Sequence, residues 1–321
     1  MIMQIPVLSD LFSRNAHTGW FAICINKNGI YFERLKYAKG NLPHVVICAF
    51  HPVEPVTPAV LEKLRKDAHI SDFQFTTLLA PGEYQMLLVE APDIPVDELK
   101  AAIRWRIKDS LSYHIDDATV DVLQIPSSKK SGVDRPQSLY AIAASNEIIR
   151  KRIALFEKAK IDLKVIDIPE MAQRNIAALF EEGERGLVLL AFDDSGGILT
   201  ITSEGELYFA RRIEITIGQL QDADENLRQQ YLERVELELH RSLDYFSRQF
   251  SHISIKRLLV SAPEQLGLVQ MLAASLEVPV EQLDLAQVLD ISAVPALADS
   301  EYAAQAFFAL GAALRLERRV L

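Results

Sequence analysis

The stretch LVLLAFDDSGGILTITSEGELYFARR (187–212) decides the fold. Three strand-like runs, 187–192, 198–202 and 206–212, are separated by glycine-containing turns at 194–197 and 204–205. The same punctuation occurs in TGWFAICINKNGIYFERLKYAKGNLPHVVICAF (18–50), with strands at 18–25, 29–37 and 44–50 and turns at 26–29 and Lys39-Gly40-Asn41. Two such trios, about 165–170 residues apart, imply an internal duplication and two related lobes.

Working outward, residues 57–68 read as a helix with Thr57 as N-cap and Pro58 at its first position. Residues 73–126 read as a compact unit. FQFTTLLA and YQMLLVEA form a hairpin about Pro81-Gly82-Glu83, and a helix opening at Asp97 carries the stripe Leu99, Ile103, Ile107 and Leu111. ATVDVLQIP then returns as a strand. Residues 127–137, with Lys129, Lys130 and Arg135, read as a solvated loop. From 138 the order strand (138–145), helix (146–160), strand (163–168), helix (170–181) favours parallel strands. After the second trio come a long helix over 223–250, with Arg234–Glu238 and Asp244–Arg248 as i,i+4 pairs, a strand (254–260) and a helix (265–276). An edge strand (280–284) and a closing helix (301–315) follow.

The chain has 321 residues, 49% of them hydrophobic and 24% charged, which suits a soluble globular protein of about two domains. With 34 Lys+Arg against 44 Asp+Glu its net charge is −10, against a general nucleic-acid binder. Cys24 and Cys48 are too few for a disulfide scaffold and lack a His/Cys cluster for zinc, so a reducing compartment and no metal are expected. The seven His never fall at i,i+4 ligand spacing, and neither G-x-S-x-G nor G-x-x-x-x-G-K-[ST] occurs. No run approaches the roughly 20 apolar residues of a membrane span. Residues 1–12, with Pro6 and Asp10, do not read as a signal peptide. A cytoplasmic protein is expected, reaching a membrane only through a partner. The basic residues Arg315, Arg318 and Arg319, interrupted by Glu317, fall short of the 4–8 expected of a lipid-binding cluster.

Three longer strings carry a resemblance: DELKAAIRWRIKDSLSYHIDDATVDV (97–122), AIAASNEIIRKRIALFEKAKIDLKVIDIPEMAQRNI (141–176) and ERVELELHRSLDYFSRQF (233–250). With FFALGAALR (307–315), they resemble the PilM family of type IV pilus assembly proteins, and above all its MshI branch, which serves the mannose-sensitive haemagglutinin (MSHA) pilus. The resemblance implies an α/β, actin-like (FtsA/PilM-like) duplicated bilobed fold. Residues 1–72 and 138–185 would form the first lobe, 73–137 an inserted subdomain and 186–321 the second lobe.

The resemblance also implies where nucleotide would sit: between the lobes, on two hairpin phosphate loops and a Gly-rich adenosine loop, with a carboxylate organising Mg²⁺. Glycine serves such loops because it lets backbone amides approach phosphate closely. Here Cys24 replaces the first loop's Asp, Asn26 its Gly, and Tyr31 a following Lys, with Lys27 at the tip. In the second loop, Ala191 stands for Asp and Asp193 for Gly, followed by Ser195 and Gly196. The adenosine loop becomes Val260-Ser261-Ala262-Pro263. All three depart from the pattern, so neither a cofactor nor catalysis is expected. Asp193 and Asp194 read either as a repositioned magnesium site or as a polar hairpin turn.

The family's role would make the chain a scaffold at the inner membrane. It would capture the cytoplasmic N-terminal tail of a bitopic PilN-like protein, and join other pilus assembly platform proteins, using a groove between first lobe and inserted subdomain. Arg104, Trp105 and Arg106 lie off the apolar stripe of their helix, a composition common at interface hot spots. Trp105 either meets the partner there or packs on the neighbouring lobe. Two rival readings are an ATP-binding or weakly ATP-hydrolysing protein that gates assembly, and a filament former.

Overall fold

The computed structural model describes residues 18–37, 40–67, 73–126 and 137–315. Residues 1–12, Lys129, Lys130, Arg135, Glu317, Arg318 and Arg319, on which sequence expectations rest, lie outside the described residues.

The chain opens with β1 (Thr18–Asn26), β2 (Gly29–Lys36) and β3 (His44–Pro52), an antiparallel trio. Helix α1 (Pro58–Asp67) carries it to β4 (Phe75–Leu78), which lies parallel to β1. Next come β5 (Tyr84–Glu90), α2 (Val96–Arg106), β6 (Ala118–Gln124) and β7 (Ser138–Ser145), whose strands form their own antiparallel sheet, ordered β5-β7-β6. Helix α3 (Asn146–Lys158) returns to the first sheet as β8 (Leu163–Asp167), and α4 (Pro169–Phe180) crosses to the second half. There the pattern repeats in β9 (Gly186–Asp193), β10 (Gly196–Ser203) and β11 (Glu206–Ile213), followed by α5 (Ile217–Leu220) and α6 (Glu225–Gln249). The chain ends with β12 (Ile255–Ser261), α7 (Leu268–Ser275), β13 (Val280–Gln282) and α8 (Ser300–Ala313).

The two five-stranded sheets share one plan, β3-β2-β1-β4-β8 and β11-β10-β9-β12-β13. In each, a hairpin trio is extended by two parallel strands. Their first hairpins match residue for residue: Asn26 pairs with Gly29, and Asp193 with Gly196. Strand β9 is buried from Gly186 to Phe192, as a central strand covered on both faces must be.

Three sequence expectations are corrected. The runs flanking 81–83 are not a hairpin: all four residues of β4 are buried, and a strand buried on both faces belongs inside the lobe sheet, whereas β5 pairs only with β7. The turn, with Gly82 at φ 85°, passes the chain from one sheet to the other. The inserted sheet therefore spans β5 to β7, and the expected boundaries 73 and 137 cut one strand from each sheet. The polar loop before β7 looks like a boundary in sequence, yet β7 is the insert's central strand, with Leu139, Tyr140, Ala141, Ala143 and Ala144 buried. Finally, Glu238 pairs with Arg211 (3.2 Å) and Arg241 (3.1 Å), not with Arg234.

The lobes meet across α4 and α8. One apolar cluster takes Ala22, Cys24 and Leu35 from the first sheet, Leu189, Ala191 and Leu259 from the second, and Ile176, Phe307 and Leu310 from the two helices. The helices approach so closely at Gly311 that a Cβ there would stand 2.2 Å from the Ala172 carbonyl oxygen. Asn175 Nδ2 donates to the Gly311 carbonyl at 2.9 Å. Gln173, fully buried, donates to the carbonyls of Leu189 (2.7 Å) and Ile198 (3.1 Å) and to Thr200 Oγ1 (2.9 Å), fastening α4 beneath the second sheet. On the first lobe's side, Val45 N–H donates to Asp290 O and Asp290 N–H to Pro43 O, both at 2.9 Å. Tyr302 Oη donates to Cys48 O at 2.8 Å.

Gly311→Ala should destabilise the protein by about 2 kcal/mol or more, because backbone cannot yield as a side-chain tip can. Gly218→Ala is the control, since a Cβ at 218 would lie 3.8 Å from its nearest neighbour, Thr216 Oγ1; chemical denaturation of both variants checks this.

Candidate functional site

A two-residue hairpin tip must satisfy its own amide groups or offer them to something else. The tip of β1–β2 satisfies them internally: Asn26 Oδ1 accepts from the Asn28 N–H at 2.9 Å and from the Gly29 N–H at 3.0 Å. The β9–β10 tip does the same with a carboxylate, as Asp193 Oδ1 accepts from the Ser195 N–H at 2.7 Å. The Gly196 amide also bonds to the Asp193 carboxylate. Both first glycines are obligatory. A Cβ at Gly29 (φ 150°) would meet His51 O at 2.2 Å, and one at Gly196 (φ 132°) would meet Ile213 O at 2.7 Å.

These two tips face each other across the lobes. Asn28 Nδ2 donates to Asp194 Oδ2, and Lys27 Nζ donates to Asp194 O at 3.5 Å. Burial pushes the Asp193 carboxyl above the usual aspartate range, countered in part by its backbone donors and by Arg212. Tyr31, beside the tips, is pushed up to about 12 by burial and then by Asp194.

The other expected positions fall into two places. Cys24 and Ala191 are buried in β1 and β9, and burial drives the Cys24 thiol far above its ordinary value. Ser261 ends β12 beside Ala191, and the Ser261–Pro263 corner is closed by Gln282 Nε2 donating to Ala262 O at 2.9 Å. Arg104, Trp105 and Arg106 belong instead to the inserted unit. Arg104 Nη2 donates to Ile115 O at 2.7 Å, and Arg106 Nη1 donates to Glu90 O, so both guanidinium groups are tied locally. Trp105 between them is 65% exposed, which removes the alternative that it packs on the neighbouring lobe.

Sequence reasoning missed a polar cluster where the inserted sheet meets α4 and β11. Tyr84 Oη donates to Glu170 Oε2 at 2.5 Å, while Arg212 Nη2 donates to Tyr84 Oη at 2.8 Å and to Glu170 Oε1 at 3.4 Å. The cluster lines a cavity of about 240 Å³ together with Met86, Tyr140 and Arg211. Nearby, the Arg152 guanidinium ties the end of β4 to the turn that leads into the insert, donating to Leu78 O at 2.8 Å and to Glu83 Oε2 at 2.6 Å. No local motif marks these residues. They lie on five separate elements, and only the fold brings them together.

No protein-family model matches the chain, and no curated protein sequence does. Among solved structures it is similar to one described as the PilM–PilN type IV pilus biogenesis complex, with a TM-score of 0.72 at 17% identity over 94% of this chain and 99% of that one. The cytoplasmic domain of EpsL, an inner-membrane component of the type II secretion system of Vibrio cholerae, gives a TM-score of 0.47 at 11% identity over 81% and 97% of the two chains. A Bacteroides thetaiotaomicron protein with an actin-like ATPase fold and unknown function gives 0.46 at 11% identity, covering 86% and 93%. The fold is the actin-like one, α/β and duplicated, as expected from the sequence.

Asp193→Asn keeps the acceptor that Asn26 already uses in the first lobe and removes a charge that the fold disfavours. A carboxyl whose folded pKa lies above its unfolded value binds more protons when folded. Its penalty therefore grows as pH rises through that window and is complete above it. The variant should be more stable than the parent at pH 7, and the gain should vanish below about pH 4, near the unfolded aspartate pKa. Urea unfolding across pH checks it.

Proposed function

We propose that the chain is a non-catalytic scaffold of a type IV pilus assembly platform of the MSHA-like kind. In this reading it binds the N-terminal tail of a PilN-like bitopic inner-membrane protein, contacts other platform proteins, and sits on the cytoplasmic face through that partner rather than by inserting itself. The observation that carries the reading is the likeness in fold, over nearly the full length of both chains, to the structure described as a PilM–PilN complex. No helix among the described residues is long and apolar enough to cross a membrane, in keeping with a partner supplying the anchor.

The hairpin tips support a scaffold over an ATPase. Phosphate binding by a hairpin needs free, inward-facing amides, and here Asn26 and Asp193 already accept them. A phosphate would have to displace a carboxylate from its donors and then lie against Asp194, a like charge.

Trp105 is the residue proposed to meet the tail, with Arg104 and Arg106 setting its flanks. A large exposed aromatic gains most when an interface closes over it. A tethered tail is held at high effective concentration, so a modest surface suffices to recruit the whole protein.

The test is flotation with anionic vesicles carrying the partner's tail on a lipid anchor. Protein should float with tail-bearing vesicles and not with bare ones at physiological salt; flotation with bare vesicles would refute partner-only docking. Trp105→Ala should weaken tail binding by about tenfold or more, with stability changed by no more than about 0.5 kcal/mol. Millimolar Mg-ATP should leave the melting temperature unchanged, because a ligand of the native state must raise it.

A further inference from the structure

Each lobe ends its first hairpin in a polar tip, and the two tips bond to each other. Asn28 in the β1–β2 tip donates from Nδ2 to Asp194 Oδ2 in the β9–β10 tip, and Lys27 Nζ reaches Asp194 O at 3.5 Å. The tips are held in shape by Asn26 and Asp193, so the groups that cross between lobes are presented by structured turns.

We infer that Asp194 is an interlobe latch: its contacts with Asn28 and Lys27 stand where the sequence resemblance puts the phosphates of a nucleotide, and they close the cleft without a ligand. The latch rests on the nucleotide-free reading in one respect, since a ligand between the tips would have to break it. Its residues are exposed, so its effect falls on the opening equilibrium of the lobes rather than on their cores. The α4–α8 crossing and the Asp290 backbone bonds join the lobes through other elements, so the tip contacts are one interlobe connection among several.

Cys24 reports on opening. It lies two residues before the Asn26 tip, is buried, and belongs to the cluster that both lobes share. In a Cys48→Ala background, the rate at which a disulfide reagent such as dithionitrobenzoate labels Cys24 measures how often the lobes part. Asp194→Ala and Asn28→Ala should each speed labelling about three- to tenfold, and the double variant should label no faster than either single one. Asp194→Asn, whose amide oxygen still accepts from Asn28, should stay near the parent rate. Parent-like rates in both single variants, or effects that multiply in the double, would overturn the latch. Circular dichroism excludes unfolded variants, and if Asp194→Ala fails to fold, Lys27→Ala combined with Asn28→Ala carries the same comparison. Protection of the parent by Mg-ATP would sink the nucleotide-free reading and leave the latch to be judged by the variants alone.

Discussion

The shared core between the two halves of this molecule depends on the close approach of Gly311 to the backbone at Ala172. Two sheets of one plan can share a core only if the helices between them nearly touch, and a single Cβ at 311 would stand 2.2 Å from the Ala172 carbonyl oxygen. The close approach brings Phe307 and Leu310 into one cluster with Ile176 and both sheets, so the halves do not carry separate interiors at this seam. Gln173 then turns a steric fit into a directional one. The bonds from its Nε2 to β9 and β10 fix how α4 lies beneath the second sheet.

Duplication is visible in the hairpin tips down to the chemistry of one side chain. Asn26 and Asp193 occupy the same register position and accept the same pair of amides, yet one is neutral and the other ionisable. The carboxylate satisfies its turn as well as the carboxamide does but is opposed by burial, and Arg212 offsets part of that cost. In both tips these backbone donors are filled from within the loop.

The repeated strand trio and most helices were legible because they depend on local periodicity and turn residues. The stripe Leu99, Ile103, Ile107 faces the insert's core, and the Val235, Leu239, Phe246 face of α6 is buried. Sheet membership was not legible for β4 and β7. Strand runs look alike whether they join a neighbour in sequence or one far away, and FTTL gives no sign that its partners are β1 and β8. The candidate site divided in the same manner. Positions in the hairpins could be read from matching turns, whereas Tyr84, Glu170 and Arg212 meet only because three remote elements converge. Asn28, which crosses to Asp194, looks in sequence like any turn asparagine.

The inserted sheet enters and leaves the body at one point, since Tyr84 at its start pairs with Ala144 near its end. Both attachments sit side by side on adjacent antiparallel strands, and Tyr84 is itself bonded to Glu170 and Arg212. A pull exerted on α2 therefore has a defined mechanical route. Through the chain it reaches the body at the neighbouring ends of β5 and β7, where Tyr84 pairs with Ala144. At the root, the tension passes through Tyr84 into α4 and β11 at once, and both halves of the body feel it as a single anchor.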